Sequence, residues 1–257
     1  ASVPKRPASE PQPSASAAPK PGGMSIRKAS RQKGKIKLAI TGQSGSGKTA
    51  TALLVASGIV PWEKIVLIDT EESGDNYEGQ MVAGVEIGPY NVLKMEAPYT
   101  PQNYMRALDI AEQEGMELAI IDSLSHAWTG EGGALDKHSR IQNSGTSSFS
   151  AWQKPKQENR RLLERITHSK IHTISTMRSK MDTQLVEGEN GKKEVKNFGL
   201  APIQEKDTVY EFDLVINLDR EHQAQVTKDR TNQFTNEYFT PGVSTGSTLK
   251  KWINKEA

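Results

Sequence analysis

The sequence predicts an α/β fold in which a mainly parallel sheet is flanked by helices. Two observations predict it. Short apolar runs rich in β-branched residues alternate with helical patterns along the chain, as in a parallel sheet covered on both faces. A glycine-rich loop joins the first apolar run to the first helical pattern. The chain has 257 residues, which is long enough to bury a core of ordinary size.

The predicted strands are short and mostly apolar, as expected of strands buried on both faces. In chain order they are Ile36–Thr41, Lys64–Asp69, Glu117–Asp122, Ile171–Met177, Asp213–Leu218 and Ala224–Lys228. A hairpin is also predicted, because Thr183–Val186 and Glu194–Asn197 flank an Asn190–Gly191 turn signal.

Three helices are predicted between these strands. The first, Thr49–Gly58, is closed by its glycine, with Pro61 just beyond. The second, Pro101–Gly115, is amphipathic, and the third, Phe149–Ser169, is long and charged.

The beginning of the chain differs in composition from the rest. Residues 1–35 hold eight basic residues and one acidic residue, a net charge of +7, which leaves −5 for the remainder of a chain whose total is +2. Residues 1–23 are rich in Pro, Ala and Ser and cannot bury enough apolar surface to offset their ordering entropy. We expect residues 1–34 to be a disordered basic tail, native or partly added for expression, and residues 35–257 to form one domain.

Composition also bears on location. The chain has no cysteine, which fits a reducing cytosol. It has no apolar run near the ~18 residues that span a bilayer. We therefore expect a cytoplasmic protein with no membrane partner.

The glycine-rich loop has the pattern G-x-x-x-x-G-K-[ST]. Its glycines allow backbone amides to point at phosphate oxygens, and the following helix N-terminus adds partial positive charge. In this pattern Lys48 reaches the β- and γ-phosphates and the Thr49 hydroxyl ligates Mg²⁺. The predicted nucleotide contacts are Gly42, Gln43, Ser44, Gly45, Ser46, Gly47, Lys48 and Thr49, with Thr51 two positions further into the helix. We name this segment, Gly42–Thr49, the phosphate loop.

Acidic residues follow two of the predicted strands. Asp122 ends an apolar strand, where its carboxylate can hold Mg²⁺ through water, and Ser123 follows it. Glu71 comes just after the second strand and is our candidate general base for an attacking water, with Glu72 as the alternative. ATP and Mg²⁺ are therefore the predicted cofactors.

Two later strands end in polar residues. Thr176 can contact the γ-phosphate through its hydroxyl, and Arg178 can contact phosphate or DNA. Lys228 and Arg230 form a Lys-x-Arg pair whose side chains lie on one side of an extended chain. The pair suits the nucleotide of a neighbouring subunit, or else it is a salt-bridged exposed strand edge.

Together these residues resemble the RecA-like P-loop ATPases, most closely the phage ATP-binding recombination and single-strand annealing proteins of that class. The resemblance covers about residues 35–232. It implies that Glu71 is the catalytic glutamate, that Asp122 with Ser123 serves Mg²⁺, and that Ser175–Thr176 is the polar sensor. It further implies that Lys228 and Arg230 act in trans, that Asp75 contacts adenine, and that Tyr77 stacks on it.

The resemblance also implies partners. We expect a homo-oligomer, in a ring or a filament, that assembles on single-stranded DNA with ATP at its subunit interfaces and promotes annealing or strand exchange. A single-strand DNA-binding protein is a further expected partner, and a phage origin would place the protein in the bacterial host cytoplasm. The family's DNA-binding loops would fall in His126–Ser150 and Ser179–Asp207. Three aromatic residues in or next to these segments can stack on bases or else are buried: Trp128, Trp152 and Phe198.

Two other functions fit the phosphate loop. One is a P-loop kinase of a small molecule, although no arginine-rich lid is evident in the sequence. The other is a DNA-binding annealing module that uses ATP as an assembly switch with little turnover.

Overall fold

The computed structural model describes residues 34–187, 193–234 and 238–254. All of them belong to one compact unit, Lys33–Ala257. The predicted tail, residues 1–34, lies outside the described residues except for Gly34.

The described strands confirm the predicted order and extend it. In chain order they are β1 (Lys37–Gly42), β2 (Ile65–Asp69), β3 (Met81–Val82), β4 (Val85–Glu86), β5 (Asn91–Lys94), β6 (Leu118–Asp122), β7 (His172–Glu187), β8 (Lys193–Pro202), β9 (Leu214–Leu218), β10 (Ala224–Asp229) and β11 (Tyr238–Phe239).

The described helices cover both faces of the sheet. They are α1 (Lys48–Ile59), α2 (Pro101–Gln113), α3 (His126–Thr129), α4 (Ala134–Asn143), α5 (Ser148–Ala151), α6 (Gln153–Thr167) and α7 (Val243–Asn254), with 3₁₀ turns at Trp62–Lys64, Gly74–Asn76 and Thr208–Glu211.

The main sheet has nine strands in the order β11-β10-β9-β1-β7-β6-β2-β5, with β8 paired to β7 outside that path. The strands from β9 to β5 run parallel, whereas β10 and β11 are antiparallel. Gly42 at the end of β1 lies beside Arg178 of β7 and Leu218 of β9. The carboxyl ends of the central strands therefore meet at one edge, where ligand sites of α/β sheets form.

Two apolar layers sandwich the sheet. One layer packs α1 and α7 against Leu38 and Ile40 of β1. The other packs α2 and α6 against residues that include Ala39 of β1. Successive strand residues point to opposite faces, so β1 is buried on both sides, as its continuous apolar run predicts.

Two predictions about the segment between β6 and β7 were wrong in part. His126–Ser150, expected to be an irregular loop, contains α3, α4 and part of α5. The predicted helix Phe149–Ser169 is divided at Trp152 between α5 and α6 and ends at Thr167. The predicted hairpin is present as the pairing of Thr183 with Asn197 and the residues beyond, on strands longer than expected, and its Asn190–Gly191 turn lies outside the described residues.

Sequence reasoning missed α7, and it misread Gly58. Gly58 lies inside α1, and a Cβ there would come within 2.2 Å of the Val243 carbonyl oxygen. A Cβ on Gly246 of α7 would come within 2.0 Å of the Val55 carbonyl oxygen. Both glycines are therefore needed because the backbones of α1 and α7 approach closely, and Gly58 does not end its helix.

Among the described helices, none combines the length and the apolar character needed to cross a bilayer.

Candidate functional site

The phosphate loop connects β1 to α1 at the carboxyl edge of the sheet. Gly45 and Gly47 have φ values of 80° and 77°, a left-handed conformation that favours glycine. At Gly42 a Cβ would lie 2.5 Å from the Ser46 hydroxyl oxygen and 2.7 Å from the Leu218 carbonyl oxygen. The glycines of the motif thus permit both the turns and the tight packing that bring the loop against the sheet.

Lys48 is the first residue of α1. Its Nζ donates to the Gln43 carbonyl oxygen at 2.8 Å, across the loop. Burial lowers the pKa of Lys48, while the nearby carboxylates of Asp122 and Glu71 oppose that shift. The ammonium therefore faces the space enclosed by the loop and the two acidic residues.

The Asp122 carboxylate is held by two hydroxyl groups. Thr49 donates to its Oδ2 at 2.5 Å, and Thr176 donates to its Oδ1 at 2.5 Å. Burial raises the pKa of Asp122, and these two hydrogen bonds oppose the rise. The hydroxyl and carboxylate oxygens of Thr49 and Asp122 fit Mg²⁺, which takes oxygen ligands and usually combines one or two carboxylates with nucleotide phosphates.

Thr176 differs from the prediction in its partner. Its side chain is fully buried and donates to Asp122, whereas the sequence predicted a hydrogen bond to the γ-phosphate. Ser175 is also fully buried, and its hydroxyl has no hydrogen-bond partner. Of the predicted Ser175–Thr176 sensor, only Thr176 is connected to the cleft, and it is connected through Asp122.

Glu71 is positioned by the loop that follows β2. Asp69 orders this loop, because its Oδ1 accepts from the Glu71 amide and its Oδ2 from the Gly74 amide, both at 2.8 Å. Arg178 donates its Nε to the Glu71 Oε1 at 2.9 Å and its Nη2 to the Oε2. Glu72, the alternative base, is exposed and has a φ of 56°. Of the two glutamates, Glu71 is the one that lines the cleft.

These groups surround one cleft with a volume of about 150 Å³. Its walls come from four parts of the fold: the phosphate loop, the Glu71 loop with Tyr77, the end of β6 and the end of β7. It is lined by Ser44, Gly45, Gly47, Lys48, Thr49, Glu71, Ser73, Tyr77, Asp122 and Arg178. A phosphate-binding loop, a carboxylate with a hydroxyl for a metal, and a second carboxylate held by Arg178 thus meet in one place.

The comparison with known families agrees with this geometry. The sequence model of the AAA domain family matches residues 34–242. The chain belongs to the AAA domain family. The cleft is therefore that of a P-loop ATPase-type domain, and nucleotide is the ligand that such a domain binds. No curated protein matches the chain.

Five of the predicted nucleotide contacts are not among the residues that line the cleft of this AAA domain: Gly42, Gln43, Ser46, Thr51 and Asp75. The Asp75 carboxylate is paired with Lys94 at 2.5 Å on the surface. Thr51 is buried within α1, where its amide donates to the Gly47 carbonyl oxygen at 2.9 Å. The Ser46 hydroxyl is buried and has no hydrogen-bond partner. Tyr77, in contrast, lines the cleft.

Lys228 and Arg230 lie at the opposite edge of the sheet. Lys228 pairs with Val215 of β9, whereas the phosphate loop begins beside Leu218 at the other end of that strand. Lys228 and Arg230 both donate to the Tyr210 carbonyl oxygen, Arg230 at 3.3 Å. Burial, and then Arg230, lowers the pKa of Lys228. The pair therefore cannot reach the nucleotide of its own AAA domain.

Sequence reasoning missed two histidines that pack on the site. His126 lies with its Nε2 3.9 Å from the Glu71 Oε1, its Nδ1 2.8 Å from the Thr70 hydroxyl, and its ring stacked on Tyr99. His222 approaches the loop, with its Nδ1 3.1 Å from the Ser46 carbonyl oxygen. The position of His126 four residues after Asp122 was a usable signal, but no local pattern marks His222.

Proposed function

We propose that this AAA domain hydrolyses ATP with Mg²⁺ and couples hydrolysis to single-stranded DNA in a homo-oligomer. The observation that carries the proposal is the cleft itself. Lys48, Asp122 and Glu71 come from three separate elements, yet all three line the same 150 Å³ space. A chain that only bound nucleotide would have no need of a second carboxylate beside the phosphates.

The residues divide the work of hydrolysis among them. The amides of the phosphate loop and the Lys48 ammonium hold the β- and γ-phosphates. Thr49 and Asp122 would hold Mg²⁺, which supplies charge neutralisation on the phosphate oxygens when bound. Glu71 accepts a proton from water as the water oxygen attacks the γ-phosphorus. The bond from that phosphorus to the bridging oxygen breaks, and ADP and inorganic phosphate leave.

The assembly is proposed from the position of the basic pair. Lys228 and Arg230 lie at the edge opposite the cleft, so a head-to-tail neighbour could present them to a nucleotide that the next subunit holds. Such contacts give rings when they close and helical filaments when they do not. The basic groups would then stabilise the charge that develops on the γ-phosphate.

The proposal that the protein binds DNA rests on β7, which reaches the same edge of the sheet as the cleft. Arg178, which holds Glu71, lies on β7, and β7 continues beyond the sheet to pair with β8. Single-stranded DNA bound along β7 and β8 would thus be linked to Glu71 through Arg178, because Arg178 lies on the same β-strand. Annealing or strand exchange in phage recombination, with a single-strand DNA-binding protein as partner, remains the activity we propose from the resemblance.

The test is the ATPase rate of the full chain with and without single-stranded DNA. We expect Mg²⁺-dependent release of phosphate that rises when oligo(dT) is added and is lost in Lys48→Ala. Tight DNA binding without turnover would support the ATP switch instead of the ATPase. Transfer of phosphate to a nucleoside or another small molecule in place of water would overturn the proposal.

A further inference from the structure

The turn between β9 and β10 lies beside the phosphate loop. Strand β9 pairs in parallel with β1, and Leu218 at its end lies next to Gly42, where the phosphate loop begins. The chain then reverses direction: the Asp219 amide donates to the Gln223 carbonyl oxygen at 3.0 Å, and the Gln223 amide donates to the Asp219 Oδ1 at 2.8 Å. Because β1 and β9 end at the same edge of the sheet, the segments that follow them are neighbours.

His222 is the residue of this turn that contacts the phosphate loop. Its Nδ1 lies 3.1 Å from the Ser46 carbonyl oxygen. A carbonyl oxygen only accepts hydrogen bonds, so Nδ1 carries the proton and His222 is the donor. The ring also lies against Gly47, where a Cβ would come within 2.8 Å of the same Nδ1. The second glycine of the motif therefore leaves room for the imidazole as well as allowing the left-handed turn.

The backbone of His222 is in a conformation that residues with a side chain seldom adopt. Its φ is 62°, in the left-handed region. The residue is exposed, so burial of its ring does not explain this conformation. Unfavourable backbone conformations persist where the surrounding structure requires them, and they cluster at functional sites. The conformation of His222 is the one that directs its side chain to the phosphate loop.

The hydrogen bond acts on one peptide group of the loop, the one between Ser46 and Gly47. This peptide bond is trans, and in a trans peptide the carbonyl oxygen and the amide hydrogen point in opposite directions. Gly47 lines the cleft, and the backbone amides of such loops surround the phosphates. A donor that holds the Ser46 carbonyl oxygen on the outer side therefore fixes the direction of the Gly47 amide.

We infer that His222 is a positioning residue for the nucleotide site, which orients the Gly47 amide toward the phosphates by holding the Ser46 carbonyl oxygen. His222 is not among the residues that line the cleft, so it acts through the loop. The inference rests on the proposed function only in that it requires the cleft to bind nucleotide, and it does not require hydrolysis. The contact involves neither the base nor the γ-phosphate, so ATP and ADP should be affected equally.

The first test compares His222→Asn with His222→Gly in the full chain. Asparagine and glycine both accept a positive φ, but only asparagine has an amide nitrogen that can take the place of Nδ1. We expect the Kd for ADP with Mg²⁺ to rise about fivefold in His222→Gly, the effect of one ordinary hydrogen bond. In His222→Asn it should change little. Isothermal titration calorimetry measures both, and urea unfolding checks that each variant is folded.

Asn232→Gly is the matched control. Asn232 is also exposed and also has a positive φ, 57°, and it follows β10 in the chain. Its replacement removes a side chain at the same kind of backbone position without touching the phosphate loop. The Kd for ADP should therefore stay at the native value.

The second test asks which part of the nucleotide depends on His222. Inorganic tripolyphosphate has neither base nor ribose, and its affinity is measured by displacement of a fluorescent ADP analogue. The affinity of His222→Gly for tripolyphosphate should fall by the same factor as for ADP. In ATPase assays KM should rise by that factor at unchanged kcat, because the phosphates are held alike in the ground state and the transition state. A loss for ADP alone would mean that the imidazole contacts the base or ribose, and it would overturn the inference.

Equal losses of ADP affinity in His222→Asn and His222→Gly would also overturn the inference, because the donor would then have no effect of its own. Failure of the proposed function gives a different result. If no ATP is hydrolysed but ADP affinity still separates the two variants, the role of His222 stands and the ATPase proposal fails. If DNA stimulates hydrolysis and both variants bind ADP as the native chain does, the ATPase proposal stands and the role of His222 fails.

Discussion

Arg178 and Glu71 form a two-point ion pair across the nucleotide cleft, although 107 residues separate them in the chain. The pair joins the loop after β2 to the strand that leads into the hairpin. A fork-to-carboxylate geometry fixes the direction of both side chains. The Glu71 carboxylate is therefore held in a defined position while its loop is anchored by Asp69.

The ion pair should contribute modestly to stability. Its side chains are 43% and 23% exposed, so solvent screens it and we expect a coupling energy of about 0.5–1 kcal/mol. A double-mutant cycle of Glu71→Gln and Arg178→Ala, followed by urea unfolding, measures this coupling. The control cycle pairs Glu72→Gln with Arg178→Ala, and it should give no coupling because Glu72 lies outside the cleft. Equal values in the two cycles would contradict the pairing.

Glu71→Gln should lower kcat for ATP hydrolysis by about 10²–10⁴-fold, because the amide cannot accept the proton of the attacking water. Nucleotide affinity should change little, since the phosphates are held by the loop and Lys48. Steady-state hydrolysis and equilibrium binding of a fluorescent ATP analogue measure the two quantities. Glu72→Gln is the control and should keep nearly full activity; if instead it is the inactive variant, the base has been assigned to the wrong residue.

Thr176→Val should raise the Mg²⁺ concentration for half-maximal activity about tenfold or more. The hydroxyl orients the Asp122 carboxylate, and loss of such supporting partners typically costs 10–100-fold in metal affinity. Thr173→Val is a closely matched control: Thr173 is buried on the same strand, and its hydroxyl has no hydrogen-bond partner. The measurement is ATPase activity against Mg²⁺ concentration for both variants. An equal rise of the half-maximal Mg²⁺ concentration in both would show that the loss of a buried hydroxyl, and not of its hydrogen bond to Asp122, causes the effect.

The phosphate loop and the central strands could be predicted from the sequence because their signals are local. The loop pattern is contiguous. The strands β1, β2 and β6 are continuous apolar runs, a pattern typical of strands in any sheet that is covered on both faces. Glu71 and Asp122 could be predicted as site residues because each lies at the end of a predicted strand or just after it. The end of a parallel strand is one of the few positions whose spatial neighbours can be predicted from sequence alone.

The contacts that could not be predicted depend on distant partners. The residues that neighbour Arg178 in the sequence do not indicate that it pairs with Glu71. The neighbours of Thr176 likewise do not indicate that its hydroxyl donates to Asp122. Helix α7 was missed because its sequence contains glycine, serine and threonine, which are weak helix formers. Its glycine is explained only by the close approach of α1, which no periodicity reveals.

His172 should make stability depend on pH. It is buried, its Nδ1 accepts from the Ile36 amide at 3.0 Å, and burial lowers its pKa to about 3, against ~6.5 in an unfolded chain. Between these values the unfolded chain binds the proton and the folded chain does not. Stability from this group is therefore complete above about pH 6.5 and is lost as the pH falls toward 3, by up to ~1.4 kcal/mol per unit.

The variant His172→Asn tests this, because asparagine offers an acceptor near the Nδ1 position but does not titrate. Its free energy of unfolding, from urea titrations at pH 7, 6, 5 and 4, should fall less steeply than that of the native chain. His168→Asn is the control, since His168 is exposed at the end of α6. Parallel pH profiles for the native chain and His172→Asn would contradict the prediction.

Mixing two inactive variants should restore ATPase activity if Lys228 and Arg230 act on a neighbour's nucleotide. Arg230→Ala keeps its own cleft, because Arg230 lies at the opposite edge of the sheet, so it should bind ATP normally and hydrolyse it slowly. Lys48→Ala keeps its basic pair. In an equal mixture that assembles head to tail, about a quarter of interfaces combine an intact cleft with an intact pair, and roughly that share of native activity should return.

Either variant mixed with the double variant Lys48→Ala/Arg230→Ala leaves no complete interface and should stay inactive. If the first mixture is no more active than its components, the two cations do not act across a subunit interface. Their role would then be to hold the exposed strand edge through the contacts to Tyr210 and Asp213.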